Sequence, residues 1–459
     1  MIKCGFDKKC ITPPLGAPIV GYYLERRVKG VLDDLYVRAS AFDDGKVRAV
    51  VIAVDVCYIT KDMCDELRKR IAKECNVDEN AIHICASHTH TGPLLGKDFA
   101  SESECPKAYE EMFKTQICDA ASYAFMDLKP ARFFYGENEA KNISFSRRFK
   151  MKDGTVATNP GVCNPDIDYP IGVPDETVRF LKILREGADD LFIVNYGTHT
   201  DTVTGEYISA DYPAYLCETL ERAIPGTKCM FLLGPQGDVN HVNVKGWQTD
   251  EECEKEFGPL EGWKLTNDNF GDSEEDMSAH PRHMGRVIAG AVLSALALAK
   301  EIKMDKISFA TRELTLPSNQ ENDKLEEAER IAKLYDEGRH QELPYDGMNL
   351  VTVVAGARRI LSLKDGPECF YGNIYGIKIG DFVFAGMGGE PFVEIGKRIY
   401  EGSPFENMIF SCLTNSEGSY YPTSSAMTEG GYEAATCNIR AGADNIIVNN
   451  MIELLNELK

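Results

Sequence analysis

The chain has 459 residues, 43% hydrophobic and 27% charged, a balance that excludes a disordered, collagenous or coiled-coil protein and leaves enough chain for a large core. Lys and Arg total 50 against 72 Asp and Glu, a formal net charge of -22. No basic run offsets it, so nucleic acid is excluded as a partner.

The 15 cysteines are odd in number and form no Cys-x-x-Cys pair, which fits reduced thiols in a cytoplasmic setting rather than a disulfide framework or a zinc ribbon. No apolar stretch approaches the ~20 residues that span a bilayer, and residues 1–7 lack the apolar core of a secretion signal. A soluble protein without stable membrane association is expected. The composition says nothing of oligomeric state.

In chain order, Val- and Ile-rich runs at 49–56 and 81–86 predict buried strands. Between them, Thr60 is placed to cap a helix carrying Met63, Leu67 and Ile71 on one face. Further strands are predicted at 192–196 and 229–233. Residues 243–280, rich in acids, read as a long surface excursion. A buried helix is expected over 282–302 and an amphipathic one over 324–335. A hairpin over 371–383 and strands at 382–385 and 408–413 follow. Strands alternating with helices predict an α/β fold with a mixed β-sheet core flanked by helices. No linker interrupts the pattern, so residues 1–459 read as a single domain.

The reactive side chains gather immediately after these strands. Ser87-His88-Thr89-His90-Thr91-Gly92-Pro93 follows one, Gly197-Thr198-His199-Thr200-Asp201 another, and Gly234-Pro235-Gln236-Gly237-Asp238-Val239-Asn240-His241 a third. Met387-Gly388-Gly389-Glu390-Pro391 and Thr414-Asn415-Ser416-Glu417-Gly418 close two more. Carboxyl ends of strands in α/β sheets open into a shared crevice. Four of the eight histidines, His88, His90, His199 and His241, sit at such ends. Imidazoles with a carboxylate are the donor set of hydrolytic zinc. In the His-x-His pair, one ring as ligand and the other as hydrogen-bonded neighbour is as good a reading as two ligands. Glu390, before Pro391, is placed at a helix N-cap, where it is either a capping carboxylate or a metal ligand. His83 reads as a core residue, and His280, His283 and His340 as solvent-exposed.

The stretches Ile11-Thr12-Pro13-Pro14-Leu15-Gly16, Gly21-Tyr22, residues 30–38 and above all Ser87 to Pro93 resemble the catalytic domain of the neutral/alkaline non-lysosomal ceramidases. The likeness continues through Asn142-Ile143-Ser144, Gly237-Asp238-Val239, Gly389-Glu390 and Gly431-Tyr432-Glu433-Ala434-Ala435. It implies a ceramidase-like catalytic domain, here expected without the family's immunoglobulin-like C-terminal domain. One catalytic zinc ion is implied, on His88, His199, Glu390 and Tyr432. His90 would stand beside the metal and Arg148 would line the substrate pocket, although Arg147 also fits that position. Where the family has Ser-Pro-Asn, this chain has Asn240-His241-Val242, so Asn240 replaces a serine that contacts the scissile amide.

The resulting expectation is a zinc-dependent hydrolase of a small N-acyl compound, in which zinc-bound hydroxide attacks the amide carbonyl. His90, Arg148 or Tyr432 would stabilise the oxyanion, and His90 or His241 would supply the proton. The replacement by Asn240 keeps an ester, lactone or glycan-derived substrate as an alternative. A catalytically inactive protein that binds a small ligand is a second.

Overall fold

The computed structural model describes residues 2–96, 103–244 and 277–459. The path of the main sheet runs Thr227–Leu233, Asp190–Tyr196, Thr177–Arg185, Lys129–Glu139, Lys3–Cys10, Tyr36–Asp43, Arg48–Val54 and Ile82–Ala86, with Lys300–Ile302 added against Lys129–Glu139. Its middle is antiparallel. Each end of the path is a parallel pair. A parallel neighbour requires a crossover, and helices supply it. Lys61–Cys75 links Arg48–Val54 to Ile82–Ala86, and Tyr212–Ala223 links Asp190–Tyr196 to Thr227–Leu233.

The second sheet, Ile307–Pro317, Cys369–Ile379, Phe382–Met387 and Asn407–Ser411, repeats this plan with two antiparallel pairs and a final parallel one. The crossover there is the helix Val393–Gly402. The fold is thus α/β with mixed sheets and flanking helices, as the alternation of elements implied.

The segment Ser411 to Asn415 bolts the two sheets together. Cys412 N donates to the Leu233 carbonyl (3.0 Å), and Ala86 N donates to that of Leu413 (3.2 Å). The Asn415 side chain accepts from Ile84 N (2.8 Å) and donates to the Ile82 carbonyl (3.0 Å), replacing the ladder bonds that an edge strand otherwise lacks. Both ends of the main sheet therefore arrive at one place. Beneath them lies a continuous core including Val50, Ile52, Phe180, Phe192 and Leu232, which runs into the second sheet through Phe382, Phe384 and Ile409.

Three local expectations differ from the fold. The helix expected over 282–302 is Ala279–Ala295, followed by a 3-10 turn and the strand Lys300–Ile302, whose backbone pairs with residues 133–135. Glu390 is not a helix N-cap: Glu390–Pro391 forms a short parallel strand with Tyr420–Tyr421, and the helix begins at Val393. His280 and His283 are half-buried rather than exposed, whereas His340 is exposed. Of the expected excursion at 243–280, residues 245–276 lie outside the described residues. No helix among the described residues is long and apolar enough to cross a membrane.

Candidate metal centre

His88 lies two residues beyond Ile82–Ala86 and adopts φ = 68°, a left-handed conformation that costs a non-glycine residue free energy and recurs where a functional side chain must be aimed. His199 follows Asp190–Tyr196, and Glu390 lies three residues beyond Phe382–Met387. Each therefore leaves the carboxyl end of a strand that belongs to a parallel pair.

The three side chains converge on one oxygen. Glu390 Oε2 is 3.2 Å from His88 Nε2 and 3.3 Å from His199 Nε2. Their donor atoms form one group within metal-binding reach. Donors held at 2.0–2.1 Å around a tetrahedral ion lie roughly 3.3 Å apart, so the spacing suits such an ion.

The tautomers can be deduced from what each Nδ1 faces. His88 Nδ1 lies 2.9 Å from the Cys57 carbonyl oxygen. His199 Nδ1 lies 3.1 Å from the carbonyl oxygen of Gln236 and 3.2 Å from that of Val239. Carbonyls accept and never donate, so Nδ1 carries the proton in both rings and Nε2 of a neutral ring presents a lone pair. Arg147 Nη1, a donor, sits 3.1 Å from His199 Nε2, in accord with this. Two imidazole nitrogens facing a carboxylate at these distances favour a positive charge among them, which a proton or a metal ion supplies beside the Arg147 guanidinium.

The electrostatics follow the same logic. Burial pushes the His88 pKa down, but the Glu390 carboxylate and Cys57 outweigh it and hold it well above the ordinary value. At His199, burial and the Arg147 guanidinium act together and depress it well below. Burial opposes ionisation of Glu390, yet His88, His199 and Arg147 hold its carboxyl well below the usual range. His90 falls to about 3 through burial and the neighbouring His88.

Around this centre, His90 Nε2 is 3.2 Å from His88 Nε2, and its ring packs at 5.4 Å on Tyr22. Cys57, His88 and His90 form a second, overlapping set of donors. Of the two adjacent arginines, Arg147 reaches the cluster. Its Nε donates to Glu433 (2.6 Å), its Nη2 to the Gly237 carbonyl (2.7 Å), and its Nη1 faces His199. Arg148 instead donates to Glu429 (3.1 Å) and the Gly430 carbonyl (3.0 Å).

Asn240 is buried; it donates to Asn159 Oδ1 (3.1 Å) and accepts from Val242 N (3.0 Å), which makes it a tie between loops. His241 Nδ1 faces Asp201 Oδ1 at 3.0 Å and its ring lies 5.0 Å from that of His280. The Tyr432 hydroxyl is hydrogen-bonded to that of Tyr23 (2.9 Å), and its ring lies 5.8 Å from Tyr420. His83 is buried against Tyr375, its pKa lowered to about 3 by burial and Arg68.

Fold and site together define a mixed α/β protein whose strand ends assemble a His-His-Glu cluster. The fold is that of the neutral ceramidases. The structure of neutral ceramidase from Pseudomonas aeruginosa superposes with a TM-score of 0.70 at 16% identity, covering 100% of this chain and 74% of that one. A ceramidase complexed with C2 gives 0.69 at 16% identity, covering 100% and 75%. No family model matches the chain, and no curated protein matches it either.

Proposed function

We propose that the chain is a metal-dependent hydrolase, with zinc as the ion, that cleaves the amide bond of a small N-acyl compound. The observation that carries this reading is the convergence of His88 Nε2 and His199 Nε2, each fixed as an acceptor, on the Glu390 carboxylate. Those three donors fit a single zinc ion with a position left for solvent, and the family likeness suggests Tyr432 as a further donor that would add to them without taking the solvent position. When bound, zinc supplies a Lewis acid and a water acidic enough to ionise near neutral pH.

The chain's own residues do the rest. Arg147 stays protonated, because Tyr420, Glu433 and Glu390 more than offset its burial. Two of its donors are fixed on Glu433 and Gly237, so its charge is preorganised beside the place where a carbonyl oxygen gains charge. This gives Arg147 the role that Arg148 held in the sequence reading. His90, whose Nε2 lies 3.2 Å from that of His88, is assigned the hydrogen bond to substrate. His241, held by Asp201, is the proton donor for the leaving amine. We further take residues 1–459 as one catalytic domain working in a reducing, cytoplasmic setting, which suits the unpaired cysteines among the described residues.

The test is elemental analysis of purified protein followed by assay on matched amide and ester substrates. One zinc per chain, its loss in His199→Ala, and amide turnover are expected. Turnover of the esters alone redirects the reading to an ester or lactone substrate. Stoichiometric zinc without hydrolysis supports a binding protein. No bound metal overturns the proposal.

A further inference from the structure

Gln236 touches both halves of the centre. It is fully buried, and its side-chain Nε2 donates to Glu390 Oε2 at 3.0 Å. Its backbone carbonyl accepts from His199 Nδ1 at 3.1 Å. One residue thus fixes the rotamer of the carboxylate and, with Val239, the tautomer of an imidazole.

Its own position is fixed tightly. The turn that carries it leaves Thr227–Leu233 through Gly234 and Pro235 and is laced to the strand holding Glu390: Gly237 N donates to the Pro391 carbonyl at 3.0 Å. A Cβ on Gly237 would lie 2.5 Å from the Glu390 carbonyl oxygen, and one on Gly197 would lie 2.3 Å from that of Pro235. Only glycine permits this approach on either side. Two residues on, Asp238 Oδ1 accepts from Val393 N (2.8 Å), which docks the turn onto the helix after Glu390.

The amide has one sensible orientation. Turned over, it would set Oε1 against the carboxylate, acceptor against acceptor. In the orientation adopted, Oε1 is buried and makes no hydrogen bond. A buried amide carbonyl without a donor is a cost, and a fold that tolerates it gains from what the other end of the amide does.

We propose that Gln236 is the positioning residue of the metal centre: it holds Glu390 and His199 in ligating geometry and thereby sets metal affinity. The inference rests on the proposed metal site. Gln236→Met removes the donor at nearly constant volume, and Gln236→Asn keeps an amide but withdraws it by one methylene. Either variant that folds tests the idea.

Zinc affinity is measured by competition with a chromophoric chelator, and ligand geometry from the visible spectrum of the cobalt(II)-loaded protein. Affinity is expected to fall about 10–100-fold, the range for loss of a partner that orients a ligand. The cobalt spectrum is expected to change, while the thermal midpoint measured without metal stays close to wild type. Affinity within twofold of wild type with an unchanged spectrum overturns the positioning role. A fall in affinity matched by an equal loss of metal-free stability also overturns it, because general loosening then explains the effect. Wild-type protein that binds no zinc removes the metal site itself, an outcome distinct from intact binding indifferent to residue 236.

Discussion

Two groups of histidines stand close together in this chain and differ in what their Nδ1 atoms face. His88 and His199 point Nδ1 at backbone carbonyls and Nε2 at Glu390. His241 points Nδ1 at the carboxylate of Asp201. A carbonyl fixes Nδ1 as a donor without adding charge, so Nε2 is the nitrogen turned towards Glu390. At His241 the partner of Nδ1 is instead a carboxylate, which accepts a hydrogen bond from the ring and orients it. Asp201 itself is held well below the usual carboxylate range, since His241, His199 and His90 outweigh its burial. On the proposed function, this difference in partners separates the two rings assigned to the metal from the one assigned to proton transfer.

The largest effects that probe this contrast belong to the first group. His199→Ala and Glu390→Ala should each lower zinc affinity by more than the ~100-fold that removal of an orienting partner gives, read by chelator competition. Asp201→Asn and His241→Gln should leave zinc affinity within about threefold of wild type while reducing turnover about 100-fold, the usual contribution of a general acid. If Asp201→Asn costs zinc as heavily as Glu390→Ala, the two groups act as one and the separation fails.

A pH titration sharpens the comparison. In protein stripped of metal, His88 is raised above its ordinary 6.5, so its pairing with Glu390 stabilises the fold fully below pH 6.5 and is lost as pH rises through the raised value. Glu390 is depressed from 4.5, so its contribution is present above pH 4.5 and lost as pH falls through the lowered value. The stability difference between wild type and Glu390→Gln should therefore peak between pH 4.5 and 6.5, at up to about 3–5 kcal/mol for a buried pair deprived of one partner. Urea unfolding across pH 4 to 9 measures it. A difference that grows steadily above pH 7 contradicts the assignment of the proton to His88.

Much of the centre is legible in the sequence because parallel strand pairs deliver their carboxyl ends to one side, and apolar runs mark those strands. His88, His199 and Glu390 all follow such runs. The choice between Arg147 and Arg148 is less accessible. Neighbours in extended chain face opposite ways, and in the segment between Phe145–Ser146 and Arg148–Met151 no apolar alternation reveals which face is inward. Pro391 misleads for a related reason: it suits a first helical turn, but Tyr420–Tyr421, nearly thirty residues later, captures Glu390–Pro391 as a strand. Gln236 sits in a segment that the strand-end pattern marks, yet its importance comes from Glu390, 154 positions away. Long-range partners of this kind leave no local periodic trace.

The smallest effect concerns the phenol pair Tyr23 and Tyr432. Tyr23 reaches across 409 positions to hydrogen-bond Tyr432 at 2.9 Å, while the preceding Tyr22 packs on His90. Arg26 anchors the same segment, with Nη2 donating to the carbonyls of Val20 (2.8 Å) and His90 (2.7 Å). The Tyr23 hydroxyl is therefore one of several ties, and its loss cannot release the segment. Tyr23→Phe should cost about 1 kcal/mol, the net value of one hydrogen bond, in urea unfolding. In a Tyr432→Phe background the same substitution should cost less, because the partner is already gone. Equal costs in both backgrounds would mean that the two hydroxyls are uncoupled in solution and that the segment is held over the centre by Arg26 and Tyr22.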